Sequence, residues 1–204
     1  MSLDDKDILK VKNKYKNKWQ KEQLQIKRNM ITNDELSFDV PELITKDVYT
    51  YKYKDIKRLK IKKDGKVLKK PLKYIGGVDI SPIKSWHSDK DYACAGVIIC
   101  EYPSLTIVHK EMKIIKLTQP YIAGFLAFRE CNPLLNLINN IKKYYSKYIP
   151  QLIIVDGNGY LHYRRMGLAS HFGVICGIPT IGVAKTLLQV ERGMNSLNDE
   201  FNLK

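Results

Sequence analysis

The 204-residue chain has no Cys-x-x-Cys pair, few arginines, a shortage of acidic residues and no long apolar run. Its four cysteines, Cys94, Cys100, Cys131 and Cys176, stand singly. That spacing argues against a zinc site of the finger or ribbon type. Their apolar neighbours instead mark them as small buried hydrophobes. No stretch reaches the length of a membrane span, so no membrane partner is expected. The amino terminus, Met1-Ser-Leu-Asp-Asp-Lys6, lacks both the apolar stretch of a signal peptide and the character of a transit peptide. The expectation is an intracellular protein in a reducing compartment. The 35 Lys and Arg against 21 Asp and Glu leave a net charge of +14. Such an excess suits a polyanionic partner bound through phosphates with counterion release. The bland account is a lysine-rich, solvated surface. Lysine carries most of the surplus, and an ammonium is a weaker sign of a dedicated phosphate contact than a guanidinium.

Residues 1 to about 33 read as a surface helix whose buried stripe runs through Leu9, Val11, Trp19, Leu24 and Ile26. Residues 34–50, with Pro41, read as irregular, so residues 1–50 form an amino-terminal extension. Residues 51–73 are packed with lysine around an Asp64-Gly65 hairpin turn. They read as a solvated insertion, with a basic arm near a substrate as the alternative. A core is expected over residues 74–190, followed by a tail over 191–204. Ile75–Ile80, Tyr92–Tyr102 and Leu105–Ile115 read as a meander of antiparallel strands, turning at Pro103-Ser104. A helical period runs through 124–145. Leu152–Val155 and Thr180–Val183 read as buried strands, with a helix over Gly167–Ile175 that Gly177 caps. The predicted class is α/β, a mixed sheet with helices packed on it.

Two carboxylates end apolar strands: Asp79 in Ile75-Gly-Gly-Val-Asp-Ile80 and Asp156 in Leu152-Ile-Ile-Val-Asp-Gly157. A third, Glu130, follows a proline-led aromatic turn, Pro120-Tyr121-Ile122-Ala123-Gly124-Phe125. Buried charge needs a partner, and a shared cation is one. Hard oxygen ligands would select Mg²⁺ or Mn²⁺, in a site able to activate water beside a phosphodiester. Each acid alone reads equally as a strand-end or turn residue. After Asp156 comes a dense patch: Gly157, Gly159, His162, Arg164 and Arg165, with His171 further on. The glycines would let the backbone approach a bulky ligand. The histidines could contact phosphate or position a water, or be satisfied structural residues. Lys185, just after the last strand, could neutralise phosphate at the same edge.

Several segments resemble the endonuclease V family. They are Gly77-Val78-Asp79-Ile80-Ser81, Pro120–Glu130, Val155-Asp156-Gly157-Asn158-Gly159, Gly167-Leu168-Ala169-Ser170-His171 and Gly182-Val183-Ala184-Lys185. Trp19-Gln20-Lys21-Glu22-Gln23 is similar to the family's first helix. Asp156-Gly-Asn-Gly159 and Leu187-Leu-Gln-Val190 resemble the eukaryotic branch.

The resemblance implies a ribonuclease H-like fold, with Asp79, Glu130 and Asp156 holding Mg²⁺ or Mn²⁺. It implies that Tyr121, flanked by Pro120, Ile122 and Gly124, forms a wedge beside a deaminated base. It also implies that Lys185 acts near the attacking water, supported by His162 and His171, with Gly157, Gly159, Arg164 and Arg165 at the substrate. The implied reaction is cleavage of the second phosphodiester bond 3′ to inosine in single-stranded RNA or DNA. It leaves 5′-phosphate and 3′-hydroxyl ends. A monomer in the cytoplasm or nucleus, including the nucleolus, and a role in DNA repair are the accompanying expectations. The family's wedge often carries a second proline where this chain has Ala123. Its members usually continue past this chain's Lys204 through a Gly-His-Arg segment and a closing helix. A shortened form that binds inosine without cutting is therefore the alternative expectation.

Overall fold

In a computed structural model, residues 3–33, 36–38, 62–63, 66–67, 71–83 and 92–185 are described. The predicted irregular stretch around Pro41 and the tail from 191 lie outside them. Helix α1 spans Leu3–Lys27. Strands β1 (Lys62–Lys63) and β2 (Lys66–Val67) pair antiparallel on either side of Asp64-Gly65, the hairpin that dipeptide predicts. Then follow β3 (Tyr74–Pro82), β4 (Tyr92–Glu101) and β5 (Thr106–Lys116). Helix α2 (Ala127–Tyr144), β6 (Leu152–Asp156), α3 (Leu168–Cys176) and β7 (Thr180–Val183) complete the order.

The sheet runs β5-β4-β3-β6-β7. The meander β3–β4–β5 is antiparallel, whereas β6 and β7 add parallel to β3. This is the ribonuclease H-like arrangement. Burial alternates along the strands as a sheet's period of two requires. Val78 and Ile80 of β3, Ala93, Ala95, Val97 and Ile99 of β4, and Ile153 and Val155 of β6 are buried. The alanines leave room for α2, which lays Cys131, Leu134, Ile138 and Ile141 onto that face at helical spacing. Helix α3 adds Leu168, Phe172 and Cys176 to the same core. It ends at Gly177, whose φ of 67° is the left-handed cap expected of glycine.

The opposite face carries Ile98, Met112, Ile114, Ile154 and Ile181, all exposed. Asp79 and Asp156 alternate with buried valines and so belong to this face, at the carboxyl ends of β3 and β6. Register confirms their closeness: Val78 pairs with Val155, one residue before each acid.

Helix α1 bears out the predicted stripe at Trp19 and partly at Ile26 and corrects it at Val11 and Leu24, while the side chain of Leu9 lies outside those described. Val11 and Leu24 are exposed, and the residues turned inward are Tyr15, Trp19 and Gln23, spaced by four. Trp19 stacks on Phe128 with ring centroids 5.0 Å apart and touches Tyr15 and Phe125. Apolar character alone misassigned this helix, because its single tryptophan and an amide make the contact while two aliphatic residues stay in solvent.

Candidate active site

Asp79, Asp156 and Glu130 arrive from β3, β6 and the first turn of α2. The two aspartates are exposed, contrary to the expectation that a strand-end charge here is buried. The desolvated member is Glu130. Its pKa is raised from 4.5 to about 7, first by burial, then by the negative charge of Asp79, with a smaller push from Asp156. Both aspartates therefore act on Glu130 electrostatically. Arg129 opposes the shift, while its guanidinium donates to the Gln119 carbonyl.

Among the described residues, no three His, Cys, Asp or Glu side chains have converged into a finished ligand shell. The chemistry of the donor set nevertheless fits a hard divalent cation. Three carboxylates offer oxygen ligands only. A proton on Glu130 relieves the same repulsion that a cation would relieve.

The consequence for stability has a definite sign. Between pH 4.5 and about 7 the folded protein retains a proton on Glu130 that the unfolded chain releases. The contribution of Glu130 to metal-free stability is therefore fully present below that window and is lost as pH rises through it, by roughly 1–3 kcal/mol. Glu130→Gln should flatten the slope, as read by urea unfolding at pH 5 and pH 8. An equal slope in the variant would remove Glu130 as its source.

A pocket lined by Tyr121, Gly124, Leu126, Asn158, His162 and Met166 draws its walls from segments that adjoin Glu130 and Asp156 in the chain. Tyr121 is 64% exposed at its mouth. Ile122, grouped with it in the sequence, is buried against Trp19 and Phe125 and so anchors the turn from behind. Pro120 is partly buried, at the start of the turn. Gly124 has a φ of +80°, where a Cβ would also meet the Tyr163 hydroxyl at 2.5 Å.

Around the 157–159 turn, glycines at 167 and 182 let the protein's own backbone come close, whereas Gly159 itself has ordinary clearance. A Cβ on Gly167 would lie 2.1 Å from the Asn158 carbonyl oxygen, and one on Gly182 would lie 2.7 Å from the Gly159 nitrogen. Gly157 adopts a φ of +149° against Leu168. The 157–159 turn thus docks on the start of α3, where Gly167 donates to the Gly159 carbonyl and Ala169 to that of Asn158.

The two histidines and Arg164 also turn inward. His162 is 2% exposed. Its Nδ1 accepts the Arg164 amide at 3.1 Å, so Nε2 carries the proton and donates to the Gly124 carbonyl at 3.2 Å. Burial, then the charge of Arg164, lowers its pKa to about 4, so it is neutral at pH 7. His171 lies within α3, edge-on to Phe128 at 5.1 Å, with its pKa lowered to about 4 by burial. The Arg164 guanidinium stacks on Phe125 and Tyr163 and bonds Gln23 and Gly124. His162 and Arg164 are occupied within the fold, whereas Nδ1 of His171 is buried without a hydrogen-bond partner among the described residues. His162, expected as catalytic, is thus bonded within the fold while lining the pocket, and Arg164, expected at the substrate, is part-buried in the same network. Arg165 sits over the Tyr160 ring at 4.9 Å. Lys185 is exposed two residues beyond Val183, the partner of Asp156, at the same strand-end edge. Sequence reasoning missed Gln23, Asn158 and Met166. A buried amide and two unremarkable side chains carry no spacing signal.

A mixed sheet of this order, with strand-end aspartates and a helix-borne glutamate, defines a ribonuclease H-like protein with a carboxylate site. Residues 56–202 match the family model described as Endonuclease V, and the chain belongs to that family. Its members are metal-dependent nucleases. Human Endonuclease V is 44% identical over 120 residues, which cover 59% of this chain and 42% of the human protein. The matched stretch therefore spans less than half of that relative. The catalytic domain of human Endonuclease V superimposes with a TM-score of 0.65 at 30% identity, covering 94% of this chain and 67% of that one. Ciona intestinalis Endonuclease V, solved with a DNA 24mer containing an inosine followed by a ribo-adenosine, gives 0.67 at 26% identity. That match covers 93% of this chain and 66% of the other.

Proposed function

We propose that this chain is a metal-dependent endonuclease directed at inosine in single-stranded RNA, and also in DNA. It cuts the second phosphodiester bond on the 3′ side and leaves 5′-phosphate and 3′-hydroxyl ends. The observation that carries the proposal is the charge coupling of a desolvated Glu130 to Asp79 and Asp156, together with a pocket lined by an exposed tyrosine.

Asp79, Glu130 and Asp156 would hold Mg²⁺ or Mn²⁺, which supplies Lewis-acid charge and a more acidic water at the phosphodiester. Lys185 offsets phosphate charge at the same edge. Tyr121 presents an aromatic face on which an unstacked base can lie. The pocket behind it takes the base. Neutral His162 keeps its proton on Nε2 and holds the turn, so it takes no part in proton transfer. The protein works as a monomer inside the cell, in cytoplasm or nucleus, including the nucleolus.

Tyr121→Ala should weaken discrimination between inosine and adenosine about tenfold, with a smaller effect on general affinity. Paired binding assays on RNA oligomers differing at that one base would read it. An unchanged preference would remove Tyr121 from recognition.

The lack of a converged ligand shell among the described residues favours one other reading, an inosine-binding protein that does not cut. Incubating end-labelled single-stranded RNA bearing one inosine with Mg²⁺ or Mn²⁺, beside an adenosine control and the matching DNA, decides between them. A cut one nucleotide beyond inosine supports the nuclease. Binding without cutting supports the alternative.

A further inference from the structure

Gln23 is a fully amphiphilic side chain placed where the fold tolerates few polar atoms: it is 2% exposed on the inner side of α1. Its amide is used at both ends. Nε2 donates to the Met166 carbonyl at 2.6 Å, and Oε1 accepts from Nε of Arg164. Arg164 passes the connection on. Its Nη2 donates to the Gly124 carbonyl, and its guanidinium plane lies 4.0 Å from the centroid of Phe125. Lys27, one turn further along α1, donates to the Arg164 carbonyl at 2.9 Å. Three segments distant in sequence thus meet at one arginine: α1, the 120–126 turn and the 162–167 loop.

The carbonyl at the end of this chain of bonds belongs to the residue whose left-handed φ shapes the Tyr121 turn. It receives two donors, Arg164 and His162. A guanidinium suits the task, because its planar fork can bond an amide on one side and a carbonyl on the other while stacking on an aromatic ring. Ordering a recognition side chain before the ligand arrives reduces what binding must spend on ordering it.

We propose that α1 is a positioning element for base recognition, in which Gln23 acts through Arg164 to hold the Gly124 carbonyl and hence the pose of Tyr121. The inference rests on the proposed recognition of inosine. It assigns selectivity to α1, whose Trp19–Gln23 stretch is similar to the family's first helix. Gln23 and Arg164 are positioning residues.

The test combines two readouts on the full chain. Gln23→Met keeps shape and removes both hydrogen bonds. Arg164→Lys keeps charge and removes the fork. Tyr15→Leu trims the packing of α1 against Trp19 without touching the network. Amide hydrogen exchange of the 119–126 segment in the free protein should rise about tenfold in Gln23→Met and Arg164→Lys, and stay near wild type in Tyr15→Leu. Inosine-over-adenosine preference should drop about tenfold in the first two variants, in KM and not in kcat. Should Gln23→Met fail to fold, Arg164→Lys carries the same prediction. Unchanged exchange in both network variants overturns the proposal. So does equal loss in Tyr15→Leu, which would reduce α1 to packing. If wild type shows no inosine preference, the substrate reading fails, whereas the exchange arm still decides whether α1 holds the turn.

Discussion

Asp156→Ala abolishes cleavage, by roughly 10³-fold or more, and leaves binding in Ca²⁺ close to wild type: that is the expected result for a carboxylate that serves chemistry and not the fold. The reasoning starts from exposure. Asp156 projects from the end of β6 on the open face of the sheet, so truncating it opens no cavity and strands no buried donor. Stability should change little, as for other surface substitutions away from special features. What the substitution does change is local charge. It deletes one of the three oxygen donors, and it withdraws a negative group that raises the Glu130 pKa. Glu130 should then titrate closer to its ordinary value. Cleavage of an inosine-containing strand, followed by gel at fixed Mg²⁺, and thermal unfolding of the same variant separate the effects. Retained cleavage would sink the carboxylate assignment. Lost binding in Ca²⁺ equal to the lost cleavage would make Asp156 a binding residue.

Gly167→Ala should damage stability more than any surface change, by roughly 2–4 kcal/mol, since overpacking against backbone leaves no side chain free to yield. The added methyl would sit 2.1 Å from the Asn158 carbonyl oxygen and 2.9 Å from that of Gly159. Either the 157–159 turn or the start of α3 must move, and the bonds from Gly167 and Ala169 to that turn must lengthen. For a domain of this size the melting temperature should fall by roughly 5–10 °C. Because the turn directly follows Asp156, activity per folded molecule should fall as well. A melting curve alongside single-turnover cleavage reads both. A variant with unchanged melting would mean that the close approach between turn and helix is not maintained in solution.

Much of the framework was legible from residue pattern. Strand positions and the Gly177 cap follow from apolar runs, from alternation and from glycine at a helix end; the expected full burial of β6 and β7 does not hold, since Ile154, Ile181 and Val183 lie exposed on the face of the sheet that no helix covers among the described residues. Those signals are local, and the physics behind them is local too: side-chain period and backbone sterics. The acids were legible as candidates, because a charge beside an all-apolar run is conspicuous in any order of folding.

Other assignments depended on which surfaces meet. His162, His171 and Arg164 look in the sequence like phosphate ligands near a glycine turn, and a residue type carries no record of the direction it faces. Burial, set by the docking of α1 and α3, turned them inward and lowered the pKa values of both histidines to about 4. The same holds for Gln23, whose worth arises only when a helix from the far end of the chain meets Arg164. It holds also for Glu130, desolvated while the two aspartates remain in solvent. By itself the sequence determined the elements, their order and the three carboxylates, since these rest on interactions between near neighbours. Only the tertiary structure decided which polar groups are dry, which are paired and which stand open to a substrate, because desolvation and pairing depend on contacts between residues far apart in the chain.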